Sequence, residues 1–208
     1  MEREVDWERE AQNPPAPGRG GKRVARQGQS EPQSPGREMY QNVRTLVTVL
    51  AVLILVFTFV ARIIVVSGPS MENTLQNGDA MLVWSLGYTP EQGDVVVLTK
   101  RSYQEDSIVK RVIATGGQTV DIDYATGTVY VDGVALEEDY IKEQMQVPSY
   151  GDMVNHVTVP EGCLFVMGDN RNHSTDSRFL EVGFVEEGEI LGRVIFRLLP
   201  LDKIGTVH

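Results

Sequence analysis

From Thr45 to Ala61 the chain runs seventeen residues without a charge, and after Arg62 the apolar run resumes with Ile63, Ile64, Val65 and Val66. Counted through Val66, the stretch is 22 residues. At roughly 1.5 Å per residue that makes about 33 Å of helix, enough to cross a hydrocarbon core of about 30 Å. The pattern predicts one transmembrane helix within residues 41–66. Arg62 can snorkel to the interface, its stem staying apolar while the guanidinium reaches water. Alternatively, the β-branched residues after Arg62 already open the first strand of the next domain. Before the span, residues 1–40 show no apolar periodicity and contain Pro14, Pro15, Pro17, Pro32 and Pro35. Such a segment cannot bury enough apolar area to offset the entropy of ordering, which predicts a disordered tail.

Beyond the span the period changes from that of a helix to that of strands. Val95–Leu98, Ser107–Ala114, Thr119–Asp123, Gly127–Val131, Cys163–Met167 and Ile190–Leu199 are β-branched or alternating, and most are bounded by Gly, Pro or Asp. Asp123-Tyr-Ala-Thr before Gly127 reads as the turn of a hairpin. No apolar 3.6-residue period is sustained over three turns after residue 66. Residues 67–208 are therefore expected to form a mainly β, antiparallel domain with one or two short helices at most.

Charge changes the picture from fold to topology. The formal net charge is −10, yet residues 1–44 hold eight basic and seven acidic side chains, so the other 164 residues carry −11. That acidic remainder argues against nucleic acid as a partner, since phosphate contacts need clustered Lys and Arg. Arg26, Arg37 and Arg44 precede the span, whereas residues 67–86 contain no Lys or Arg. This asymmetry predicts a cytoplasmic N-terminus and an extracytoplasmic β domain in the cell membrane. Phe59 is too large for the −3 position of a cleavage site before Ala61, so an uncleaved single-pass anchor is expected. The single cysteine, Cys163, excludes an intramolecular disulfide and a zinc site built on cysteine pairs.

Three segments carry candidate chemistry. In Ser67-Gly-Pro-Ser-Met-Glu-Asn-Thr-Leu75, a Gly-Pro turn would present Ser70 just outside the membrane; the bland alternative is a helix cap. The segment lacks the second Gly of a nucleophile elbow. In Ser107–Ala114, Lys110 shares one strand face with Ile108 and Val112, and Arg111 the other with Val109 and Ile113. A charge that protects an edge strand is the ordinary explanation. The sharper one is a desolvated lysine, its pKa lowered until it can act as a general base. The third segment, Met167–Arg178, is dense in short polar side chains. It reads as an Asx-rich turn or as a calcium loop through Asn170, Asn172, Ser174, Asp176 and Glu181, although Thr175 stands where an EF-hand needs Gly. His156 and His173 are the rival bases for a serine nucleophile, and spacing alone leaves Ser-Lys and Ser-His both open.

Taken together, these segments resemble the type I signal peptidase family in its single-anchor Gram-positive form. The ordered matches are the anchor, Ser67–Leu75, Gly78-Asp79, Gly93-Asp-Val-Val-Val97, Lys110-Arg-Val-Ile-Ala-Thr-Gly-Gly117, Gly168-Asp-Asn-Arg171 and Ser174-Thr-Asp-Ser-Arg178. The resemblance implies a membrane-bound serine endopeptidase that cuts signal peptides from preproteins after small residues. It makes Ser70 the nucleophile, Lys110 the general base and Ser174 the hydroxyl that orients the lysine. The backbone N–H of Ser70 becomes the oxyanion donor. Asp176, Arg178, Arg111 and Asp169 support the site, and no cofactor or metal is implied. Some members add a serine donor two residues before the nucleophile, where this chain has Gly68. Asn73 stands where proline is common. The family fold adds a small excursion between the lysine and Gly-Asp-Asn-Arg boxes, here residues 118–160, too short for an independent core. Val66, Met71, Ile108 and Val109 are candidates for the pockets that select small side chains. The implied partners are preprotein signal peptides, the lipid bilayer and the protein-export translocon. Two rival functions remain, a self-cleaving Ser-Lys regulator and a tethered β domain that binds a partner or calcium without catalysis.

Overall fold

The computed structural model describes residues 35–100, 103, 106–147 and 151–207. The tail expected over residues 1–40 lies outside them up to residue 34. Its last residues are helical, because helix α1 runs Pro35–Phe59, with Pro35 at the first position, where a missing N–H costs nothing. Among the described residues, Gly36–Phe59 is the one helix long and apolar enough to cross a membrane, with mean hydropathy 2.1 and none of its apolar window buried in protein. Leu46, Leu50, Leu53 and Phe57 are all exposed. A helix that is apolar all round and uncovered by protein requires lipid around it.

The apolar stretch is divided, and the strand reading of its end is the one found. Helix α1 stops at Phe59, and β1 takes Ala61–Val65. The β strands that follow are β2 (Ala80–Trp84), β3 (Val95–Leu98), β4 (Ile108–Thr115), β5 (Thr119–Asp123), β6 (Thr128–Val131), β7 (Val134–Ala135), β8 (His156–Thr158), β9 (Cys163–Met167), β10 (Val185–Glu186), β11 (Ile190–Leu199) and β12 (Gly205–Thr206). Where one or two short helices at most were expected after residue 66, the described residues hold three 3₁₀ turns of three residues each, at Arg171–His173, Glu187–Glu189 and Leu201–Lys203.

All pairings among the described strands are antiparallel. The large sheet has the order β1-β2-β11-β3-β4-β9-β10, with β12 on β11, and the small sheet the order β7-β6-β5-β8. Strand β4 is flanked by β3 and β9, so it is interior, and burial of both its faces explains its nearly continuous apolar run. One core cluster joins Met71 and Leu75, from the β1–β2 connection, to Met81, Val83, Val95, Val97, Val109 and Val194 of the sheet. A second joins Val120, Ile122, Val129 and Val131 of the small sheet to Ile113, Phe165 and Met167 of the large one. The excursion therefore shares its core with the large sheet. Each fully buried Leu, Ile, Phe or Met contributes about 1.5–3 kcal/mol.

Candidate active site

Ser70 lies on the connection between β1 and β2. The base of this loop is closed by backbone bonds from Val66 N–H to Asp79 O and from Gly78 N–H to Val66 O, both 2.9 Å. Gly68 opens the turn at φ 93°, a conformation strained for any side chain, and its N–H donates to Asn77 Oδ1 at 3.0 Å. A serine donor at this position would meet no steric obstacle but would carry that backbone strain. Met71 and Leu75 pin the far side of the loop into the core.

Lys110 Nζ lies 2.9 Å from Ser70 Oγ. The lysine is 4% exposed on an interior strand, which leaves edge protection without a basis. Burial pulls its pKa down from 10.5 to about 8. Asp176 and Asp169 push it up and Arg178 pushes it down, so the neighbouring charges partly cancel and desolvation dominates.

The neighbours cancel because they are paired. Arg178 grips Asp176 through Nε and a terminal nitrogen, at 2.7 and 2.9 Å, with both side chains fully buried. The guanidinium and the N–H of Gly168 hold the Asp176 carboxyl below its usual value although burial raises it. Arg111 makes a two-pronged bond to Asp169 at 2.8 and 2.7 Å and donates to Gly93 O at 2.8 Å. Ser174 Oγ donates to Asp176 at 2.7 Å. Among the described residues no hydrogen bond joins it to Lys110, whose amine bonds Ser70. Gly168 is compressed against this arrangement: a Cβ there would stand 2.3 Å from Ser174 Oγ and 2.5 Å from Ser70 O.

Several contacts had no sequence signal. Arg171, also fully buried, donates to both carboxylate oxygens of Glu138, and the Tyr140 ring lies 3.9 Å under the Arg111 guanidinium. Both partners come from the excursion, about thirty residues away in sequence, and no local pattern points to them. Asn170 donates its N–H to Ser70 O at 3.0 Å and its side-chain amide to Pro69 O at 3.1 Å. Of the candidate bases, His156 faces Asp121 and His173 faces Asn170 Oδ1. Of the proposed calcium ligands, Asp176 is taken by Arg178, Asn172 donates to Glu143, and Asn170 to Pro69.

A cleft of about 430 Å³ opens beside the Ser-Lys pair, lined by Ile64, Val65, Ser67, Gly68, Tyr103, Asp106, Ile108 and Thr175 among others. Of the four residues expected to form pockets, Ile108 lines it. Val66, Met71 and Val109 are buried members of the core cluster. Hydrophobicity marks a residue as buried but does not say whether neighbours or an occupant cover it. The chemistry this arrangement can perform is acyl transfer, with a hydroxyl beside a buried amine at the edge of a cleft.

The pattern of the family described as "Signal peptidase, peptidase S26" matches residues 39–199. A Synechocystis sp. protein named "Probable signal peptidase I-1" is 37% identical over 184 residues, which cover 84% of this chain and 89% of that protein. "Signal peptidase IB" of Staphylococcus aureus is 29% identical over 184 residues, covering 80% of this chain and 93% of the relative. A crystal structure of a signal peptidase I from Enterococcus faecalis V583 covers 51% of this chain and 97% of its own at 30% identity, with a TM-score of 0.41.

Proposed function

Because this chain belongs to the signal peptidase family, peptidase S26, and is a membrane-anchored serine protease acting on preprotein signal peptides, we propose that Ser70 and Lys110 form its catalytic dyad. The observation that carries the assignment is the 2.9 Å approach of Ser70 Oγ to an amine that burial has brought down to about pH 8. An ammonium cannot accept a proton; this one is neutral often enough near neutrality to take that of the serine. Ser70 then attacks the carbonyl after a small residue, and the negative charge that develops on the oxygen is met by the Ser70 N–H. Lys110 passes its proton to the departing amine, leaving an acyl-enzyme. The neutral lysine next activates the water that releases the signal peptide. Ser174, Asp176 and Arg178, with Arg111 and Asp169, hold the charges around the lysine. The cleft beside Ser70 accepts the substrate's small side chains, with Ile108 in its wall.

We further infer that the helical part of the expected 41–66 span, which ends at Phe59, anchors the enzyme in the cell membrane, that the residues before the span are cytoplasmic, and that the β domain, β1 included, acts outside the membrane near the export translocon. The basic residues before the span support this orientation. Residues 118–160 form a reduced excursion within the catalytic domain.

The test is cleavage of a preprotein in detergent. Wild type should release the signal peptide, whereas Ser70→Ala and Lys110→Ala should lose at least about 10³-fold in kcat. His173→Ala should still turn over. Activity surviving in Lys110→Ala but lost in His173→Ala would move the base to the histidine. Activity surviving in both Ser70→Ala and Lys110→Ala would remove the dyad.

A further inference from the structure

We propose that Asn170 is a positioning residue that aims the oxyanion donor, an inference that rests on Ser70 being the nucleophile. The Pro69 carbonyl and the Ser70 N–H are the two ends of one peptide unit. Among the described residues the cis bonds are Glu72–Asn73 and Leu199–Pro200, so this unit is trans, and its C=O and N–H point in opposite directions within one plane. Whatever holds the carbonyl therefore sets the direction of the N–H.

Asn170 holds it from outside the loop. Its side-chain amide donates to Pro69 O at 3.1 Å, and its backbone N–H donates to Ser70 O at 3.0 Å. The two carbonyls it grips bracket the Ser70 N–H in sequence. That N–H has no acceptor among the described residues, whereas the carbonyls of Pro69, Ser70 and Met71 around it all accept a bond. A pre-aimed donor left open is what a developing oxyanion requires. The other bond to Pro69 O comes from Glu72 N–H at 3.1 Å, within the same turn, and moves with it. Asn170 is different, because it is 1% exposed and sits between Asp169 and Arg171. Both flanking residues are locked by buried guanidinium–carboxylate pairs, to Arg111 and Glu138. The amide thus references the N–H to the rigid part of the domain. With Gly68 supplying no side-chain donor, the direction of this one N–H carries more of the stabilisation.

Asn170→Ala deletes the side-chain donor. Asn170→Asp keeps its size but sets an acceptor against the Pro69 carbonyl. Both keep the backbone bond to Ser70. Each should lower kcat on preprotein on the order of 10²-fold with KM within about threefold, the pattern of an interaction made only in the transition state. Asn170→Ala should also keep the midpoint of the acid limb of the pH profile, which belongs to the lysine. The decisive comparison uses two inhibitors with the same peptide sequence ending in alanine, one an aldehyde and one a carboxamide. The aldehyde forms an oxyanion on Ser70 and should lose affinity in step with kcat; the carboxamide should bind as it does to wild type. Retained kcat in both variants, or equal losses for aldehyde and carboxamide, would overturn the proposal. Run beside them, Ser70→Ala and Lys110→Ala separate the two ideas. If those remain active the dyad fails, whereas if they are inactive while the Asn170 variants keep kcat, only the aiming role fails.

Discussion

Lys110 is at once the proposed base and a thermodynamic burden. Its amine titrates near 8 in the folded chain and near 10.5 when unfolded. Between those values the unfolded state binds more protons, so stability rises with pH across that window, and below about 8 the full penalty is present. The gap between the two values corresponds to about 3 kcal/mol. Lys110→Met should therefore be inactive yet more stable than wild type at pH 7, by on the order of 3 kcal/mol in urea unfolding, with the gain fading toward pH 10. Activity follows the opposite logic, because the neutral amine is the working form. Wild-type kcat/KM should rise about tenfold per pH unit below 8 and level off above it. A midpoint near 6.5, the ordinary value of histidine, would contradict the lysine assignment.

Among the elements, the three buried arginines show how the excursion contributes. Glu138 precedes the Gly-Asp-Asn-Arg turn by some thirty residues and meets Arg171 there, the guanidinium fully buried and the carboxylate 7% exposed. Glu138→Ala would strand a buried cation and should cost about 3–5 kcal/mol in urea unfolding. Lys142→Ala, which opens the exposed pair with Glu72, should leave stability unchanged within error. A small effect of Glu138→Ala would mean that the excursion does not brace the turn. This contact also marks how far the sequence could be read. Strands β3, β5, β9 and β11 were legible to the residue, since β-branched runs ending at Gly, Pro or Asp leave little choice of boundary. Strand β2, Ala-Met-Leu-Val-Trp, was not, because only Val83 is β-branched and a helix would suit the others equally. Ser70 and Lys110 could be singled out because each breaks its local pattern, a hydroxyl after Gly-Pro and a cation in an apolar strand. Glu138, Tyr140 and the Asn170 amide break no pattern. Their meaning exists only across long loops, where the register of the folded sheets decides which polar groups meet.

At the scale of the whole molecule, an apolar helix without protein cover precedes a β domain that carries most of the acidic charge. The full chain should remain in the membrane pellet after alkaline carbonate extraction. On intact protoplasts, protease added outside should destroy a C-terminal tag and spare an N-terminal one; the reverse pattern would invert the topology inferred from Arg26, Arg37 and Arg44. Around the site the charge is arranged otherwise: Arg111 with Asp169, Arg171 with Glu138 and Arg178 with Asp176, each pair almost wholly out of water. Mobile ions screen charges across solvent over about 8–10 Å at ordinary ionic strength, but they cannot enter between partners already in contact in a dry interior. The surface of this enzyme thus answers to the salt of its surroundings while the proton affinity of its lysine is set from within. From dilute buffer to brine, Lys110 would keep the same proton affinity.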